Sequence, residues 1–253
     1  AAALAKGNTV LAVSGETVPS PVAQVPHHSL GLRGLEDEAH LPEFPASIGS
    51  LAKLEQAARG VGLINAPPDR SGTESERGVI RRVPMVARIG DTRVASLGLE
   101  IVRLGTNTRF LNVEADDHGI VRVGVRGQSL HTLPNGDLAL HFGPLKSDRV
   151  VSAADVLAAR IDPEILREKF VLVGFTGLGL LDNVVTPLGE KIPGVDVHLQ
   201  VIESLLAGES LRRPWWMARV ELAALILLGI GLILTVPVLR PAYAAGLGAL
   251  VAS

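Results

Sequence analysis

From Leu222 to Leu239 the chain runs eighteen residues without a charge, LAALILLGIGLILTVPVL, after more than two hundred residues of ordinary globular sequence. A bilayer's hydrocarbon is about 30 Å thick and a helix rises 1.5 Å per residue, so about 20 apolar residues span it. The flanks agree with a span. Trp215 and Trp216 stand just upstream, where indoles favour the headgroup level, and Arg212, Arg213, Arg219 and Arg240 mark polar boundaries. The competing reading is a buried core helix. A second apolar segment begins at Pro241 and stops at Ser253, which predicts a piece of a longer polytopic protein. The expected division is a folded domain over residues 1–211 and a membrane region over 212–253, with a first span at about 220–239 and a second from 241.

The apolar tail inflates the 47% hydrophobic content, so that figure does not describe the folded part. Residues 1–211 suffice for one domain with a real core. Of the 24 basic and 26 acidic residues, four and one lie from Arg212 onward, which leaves the domain a net charge of about −5. A mildly acidic domain without a Lys/Arg run carries no electrostatic footprint for nucleic acid, so none is expected as a partner. There is no cysteine, which excludes disulfides, thiolate zinc sites and cysteine nucleophiles. AAALAKGN has neither a basic region nor an apolar core of a signal peptide. Three arginines precede the span and one follows it, which taken alone would put the domain in the cytoplasm.

Along the chain, NTVLAVS from Asn8 is a short β-rich run, and residues 15–46, with five prolines, read as a long loop. Ser47 is placed to cap a helix running to about Arg59, and VGLINA follows as a buried strand. VIRRVPMVARI alternates as a half-buried strand interrupted by Pro84, which favours an edge or a kink. SLGLEIVRL from Ser96 is an amphipathic helix, and residues 110–142 are short strands with a hairpin signal at Pro134-Asn135-Gly136-Asp137. Ser152 caps a short helix, KFVLVGF is a strand, and VDVHLQVIESLLAG is a helix closed by Gly208. Helices alternating with apolar runs on either side of a β-rich insert predict an α/β fold: a mixed sheet with helices on its faces, followed by transmembrane helices.

The usual catalytic constellations are absent: no G-x-S-x-G elbow, no H-E-x-x-H, no P-loop and no kinase signature. Gly174, Gly177 and Gly179 follow a strand as a phosphate loop would, but their spacing is not the dinucleotide fingerprint, and a tight turn explains them. His27, His28 and His40 stand on a Pro-rich loop with no carboxylate cluster locked at ligand spacing, so no metal site is expected. Asp116-Asp117-His118-Gly119 needs nothing beyond turn geometry. Arg81-Arg82 could bind an anion, although ion pairing with Asp or Glu explains them as well. Open α/β sheets bind ligands at the carboxyl ends of their strands. That rule singles out Asn65 and Asp69 after VGLINA, and Thr176, Asp182, Asn183 and Thr186 after KFVLVGF, with Arg81 or Arg82 as counter-charge. The competing role for Asp182 and Thr186 is to fix a long loop against the next helix. Asn65 and Asp182 are expected at the same edge of the sheet.

The segment FVLVGFTGLGLLDNVVTPLGEKIPGVDVHLQVIESLLAG, Phe170 to Gly208, resembles the terminal motif of the second subtype of the CHASE family, sensory domains associated with cyclases and histidine kinases. Asp182, Thr186-Pro187, Pro193-Gly194-Val195 and His198 carry the likeness. VGLINAPPDRSGTESERGVIRRVPMVARIGDTRVASLGLEIVRL, Val61 to Leu104, is similar to that family's other hallmark, with a longer loop here between Asp69 and Gly78. The resemblance implies a sensor domain outside the cytoplasm, at a bacterial inner membrane, followed usually by three C-terminal helices and a cytoplasmic output domain. That places the domain opposite to what the arginine count suggests. The output it implies is a class III adenylate or guanylate cyclase, with a histidine or Ser/Thr kinase as alternative. Class III cyclase sites form between two subunits, so it also implies a homodimer. The expected partners are the lipid bilayer and an extracytoplasmic small-molecule or protein signal. No cofactor and no catalytic residue are expected in this chain; a membrane-tethered hydrolase is the rival reading.

Overall fold

The computed structural model describes residues 1–18, 30–34, 41–68, 78–117, 119–144, 147–176, 183–211 and 216–235. The chain divides into two compact units, Ala1–Leu211 and Arg212–Ser253. The first unit opens with strands β1 (Val10–Glu16), β2 (Leu32–Arg33), β3 (Glu43–Phe44) and β4 (Ala46–Ile48), helix α1 (Ala52–Glu55) and strand β5 (Gly60–Leu63). Strands β6 (Arg82–Pro84), β7 (Val86–Ile89) and β8 (Thr92–Ser96) lead into helix α2 (Leu97–Gly105). Strands β9 (Leu111–Asp116), β10 (Gly119–Val125), β11 (Gln128–His131) and β12 (Asp137–Ala139) form the β-rich insert. Helix α3 (Ala153–Leu157), strands β13 (Asn183–Val185) and β14 (Lys191–Pro193) and helix α4 (Gly194–Ala207) complete it.

The principal sheet has the order β3-β7-β8-β5-β1-β4. Its centre is parallel, β5 beside both β1 and β8, while β4 runs antiparallel to β1, β7 antiparallel to β8, and the edge strand β3 parallel to β7. Three strands of the insert join β2 in a second sheet, β11-β10-β9-β2, while β12 pairs with β6. The mixed α/β architecture expected from the alternation of elements is thus present in the first unit.

Strand β5 shows how the sequence builds the layers. In Gly60-Val61-Gly62-Leu63 the side chains alternate between faces. Val61 and Leu63 join Val13, Ala87, Ile89 and Val94 in the core on one side. On the other side the two glycines leave room for α2. A Cβ on Gly62 would stand 2.5 Å from Leu97 Cα, and one on Gly60 2.3 Å from Glu100 Oε1. Helix α2 therefore lies directly on the backbone of β5. Ser96 caps it, its hydroxyl accepting from Leu99 N at 3.4 Å. Glu100 is buried and is held by Arg103 through a fork of 2.6 and 2.7 Å, and Arg103 also donates to the carbonyl of Thr108 beyond the helix end. Helix α4 packs on α2, where a Cβ on Gly98 would meet His198 O at 2.9 Å. Gly208 ends α4 in the left-handed conformation, φ 71°.

Two local expectations give way to tertiary pairing, the interruption expected at Pro84 is realised as a break, and one expected strand does not form. Ser47 does not cap a helix; residues 46–48 are drawn into β4 against β1, and the helix that follows spans only Ala52–Glu55 behind Leu51. The VIRRVPMVARI run is two strands, broken after Pro84, with β6 pairing to β12 and β7 to β8. The turn at Asn135-Gly136 forms, with Gly136 at φ 81°, yet β11 and β12 do not pair across it, because Asp137 aligns with Pro84 of β6. KFVLVGF joins no sheet. Phe170 and Leu172 pack against the core while Val173 is 87% exposed, and no described strand edge lies alongside to supply ladder bonds.

In the second unit, helix α5 (Met217–Thr235) is charge-free from Leu222 onward and apolar on every face, with Leu222, Leu225, Ile226, Leu228 and Ile233 all exposed. The fourteen uncharged residues span about 21 Å. Among the described residues no helix is long and apolar enough to cross a membrane. Val236–Leu239, and the second apolar segment from Pro241, lie outside the described residues.

Candidate functional site

The carboxyl ends of β8, β5 and β1 form one edge, marked by Ser96, by Ile64-Asn65 and by Gly15. The strand ladder ends with Ile64 N donating to Val13 O at 2.9 Å. Asn65 then extends the ladder with its side chain: Oδ1 accepts from Gly15 N at 2.6 Å and Nδ2 donates to Gly15 O at 2.9 Å. An amide side chain satisfies a backbone donor and acceptor in this way as a neighbouring peptide would. Both polar ends of Asn65 are therefore spent inside the fold. Replacing Asn65 by alanine strands both groups of Gly15 and should cost about 2 kcal/mol, read as a lowered urea midpoint.

Helix α4 arrives at this edge with its first turns. His198 Nε2 stands 3.3 Å from Ile64 O. Burial pushes the imidazole from 6.5 down to about 4, against a smaller upward pull from that carbonyl. The ring is then neutral, Nε2 is the donor, and Nδ1 is a buried acceptor without a partner. Asp196, in the first turn of α4, is pushed above its usual range by the same desolvation. No hydrogen bond joins His198 to a serine or carboxylate among the described residues, and Ser96 is occupied by Leu99 N and by Met85 Sδ at 3.9 Å. The Ser-His-Asp convergence that a hydrolase would need is not formed by these groups.

The candidates fall into two groups. Asn65 and Asn183 adjoin the first turns of α4, and Thr176 follows two residues after Gly174, which lies there. Ile64 touches His198, Gly174 is packed on Val195, and Asn183 pairs with Pro193. Arg81, Arg82 and Thr186 cluster at the other end of β13, about 10 Å along the strand. There Val79 bridges Val185, Ile80 N donates to Val185 O, and Arg82 lies opposite Ala139. Both arginines are half-buried and engaged. Thr186 is 2% exposed, its amide bonded to Glu190 O and its Oγ1 without a partner. Asp69 and Asp182 lie outside the described residues, as do His118, Gly177 and Gly179. A cavity of about 430 Å³ between Val156 and Arg167 is lined by none of the candidates. No group of His, Asp and Glu among the described residues could hold a metal ion.

Sequence reasoning passed over two participants. Gly15 precedes Asn65 by fifty residues, and nothing in its local pattern announces the contact. His198 was legible as one residue of the family likeness, but not as a buried partner of Ile64 O.

The arrangement can be set beside known families. The family model of the CHASE2 domain matches residues 1–237. The chain belongs to the CHASE2 family. No curated protein and no solved structure matches it. CHASE2 domains are extracytoplasmic sensory domains of signalling receptors. The His198 contact, the Pro193-Gly194 helix start and the Ser96 cap accordingly belong to the frame of a sensory domain.

Proposed function

We propose that this CHASE2 chain is the input module of a homodimeric receptor of a bacterial inner membrane, which relays an extracytoplasmic signal through C-terminal helices to a cytoplasmic class III adenylate or guanylate cyclase. The observation that carries the reading is a sensory domain succeeded by a helix apolar on all sides. A helix without a polar face requires an apolar surrounding. In the sequence the uncharged run goes on through Val236-Pro237-Val238-Leu239 to eighteen residues, close to the about 20 apolar residues that a bilayer requires of a spanning helix.

For signal binding, Thr176 and Asn183 remain candidates beside Asp182, which is a candidate from the sequence alone, since Asn65 is bonded to Gly15 and both arginines are engaged. Asp69 shares the Asn65 loop. Arg81, Arg82 and Thr186 would serve a signal bound at the far end of β13.

The full-length protein, expressed in cells lacking their own cyclase, should fractionate with the membrane through an alkaline wash and should raise cyclic nucleotide. Phosphotransfer without cyclic nucleotide would replace the cyclase with a kinase. Release into the soluble fraction would overturn the membrane reading.

A further inference from the structure

We propose that helix α4 is a lever that couples the carboxyl edge of the parallel strands to Ser210-Leu211, the point at which the sensory unit ends. The proposal rests on the sensory reading above and adds the element through which the domain acts. At its first turns α4 is fixed to the edge by His198 on Ile64 O and by Val195 against Gly174. Fourteen residues later, about 21 Å along the axis, its other end is fixed to the insert. Gly208 turns the chain, and His131 N of β11 donates to Ser210 Oγ at 3.1 Å. Leu211 N reaches Ala139 O of β12 at 3.4 Å.

Between the two ends the helix cannot slide freely. Val197, Val201, Ile202 and Leu205 are each at most 2% exposed, and the backbone of His198 rests on Gly98 without room for a methyl group. Gln200 accepts from Gly143 N at 3.1 Å. A second route closes the circuit: Ala139 pairs with Arg82, β6 continues to Met85, and Met85 O accepts from Ser96 N at 2.9 Å, back at the edge. Densely packed elements held at both ends move as units, so a change at the edge is passed to the exit rather than absorbed.

Coupling of two sites is reciprocal, and that supplies the test. Amide hydrogen exchange is measured on the full-length receptor in lipid nanodiscs, as wild type, Ser210→Ala and Asn65→Ala. Losing the one bond to Ser210 should speed the amides at that end by about tenfold, and losing the two from Asn65 should speed those at the edge by about thirtyfold. Ser210→Ala should also speed Gly15 and Ile64 by at least about threefold, and Asn65→Ala should do the same to His131 and Leu211. The amide of Leu111, bonded to Gly31 O in the insert's sheet, should not change. Acceleration confined to the altered end, or spread equally to Leu111, overturns the lever. Receptor output on the same variants separates the two readings: coupled exchange with unaltered output leaves the lever standing and overturns the sensory reading. Altered output without coupled exchange overturns the lever.

Discussion

Gly62→Val should cost the first unit about 3 kcal/mol or more and leave it largely unfolded under conditions the wild type tolerates. The new Cβ would stand 2.5 Å from Leu97 Cα and 3.1 Å from Leu97 N, which are backbone atoms and cannot rotate aside. Leu97 opens α2 immediately after Ser96, which is itself tied to Met85 O and to Leu99 N. Relief would require lifting α2 off the sheet and opening the core that Leu99 and Val102 fill. Gly143→Ala is the control, since a Cβ there meets nothing within 4 Å. Urea unfolding followed by circular dichroism should show a midpoint shifted by the first substitution and unmoved by the second. Equal behaviour of the two would mean that α2 does not rest on β5.

What the sequence made legible was local chemistry, and what it withheld was pairing. Ser96 before an amphipathic run and Gly208 after one were sufficient to bound α2 and α4, because capping is decided within a few residues. The turn at Asn135-Gly136 was legible for the same reason, while the partner of the strand leaving it was not. β12 chose Arg82–Pro84, more than fifty residues earlier, over the adjacent β11. Ser47 carries a cap's chemistry but lies in a segment that β1 recruits into a sheet. Asn65 was found by its place after an apolar strand, yet its work at Gly15 depends on β1 and β5 being neighbours, which no short pattern states. In the string Gly60 reads as the end of a helix and Gly62 as one more residue of a buried strand. Only the helix above them shows that they are the floor α2 stands on.

Acidification should destabilise the fold through His198, and the sign follows from which state holds the proton. Above pH 6.5 the ring is neutral whether the chain is folded or not, and it contributes no pH dependence. Below 6.5 the unfolded chain binds a proton that the folded protein refuses until about pH 4, because burial disfavours the charged ring. The unfolded state then holds more protons, so stability falls by about 1.4 kcal/mol per pH unit across that window. The whole loss is about 3 kcal/mol, and the dependence flattens below pH 4. Asp196 acts in the opposite sense. Its raised value means that the folded protein takes up a proton before the unfolded chain does as pH falls toward 3.8, which returns part of the loss at the acid end. His198→Gln keeps an amide donor within reach of Ile64 O and removes the titration. Its urea midpoint should be nearly level between pH 6.5 and about 4, where the wild type's declines steadily. Parallel declines in the two proteins would assign the acid sensitivity to other groups and remove His198 as its source.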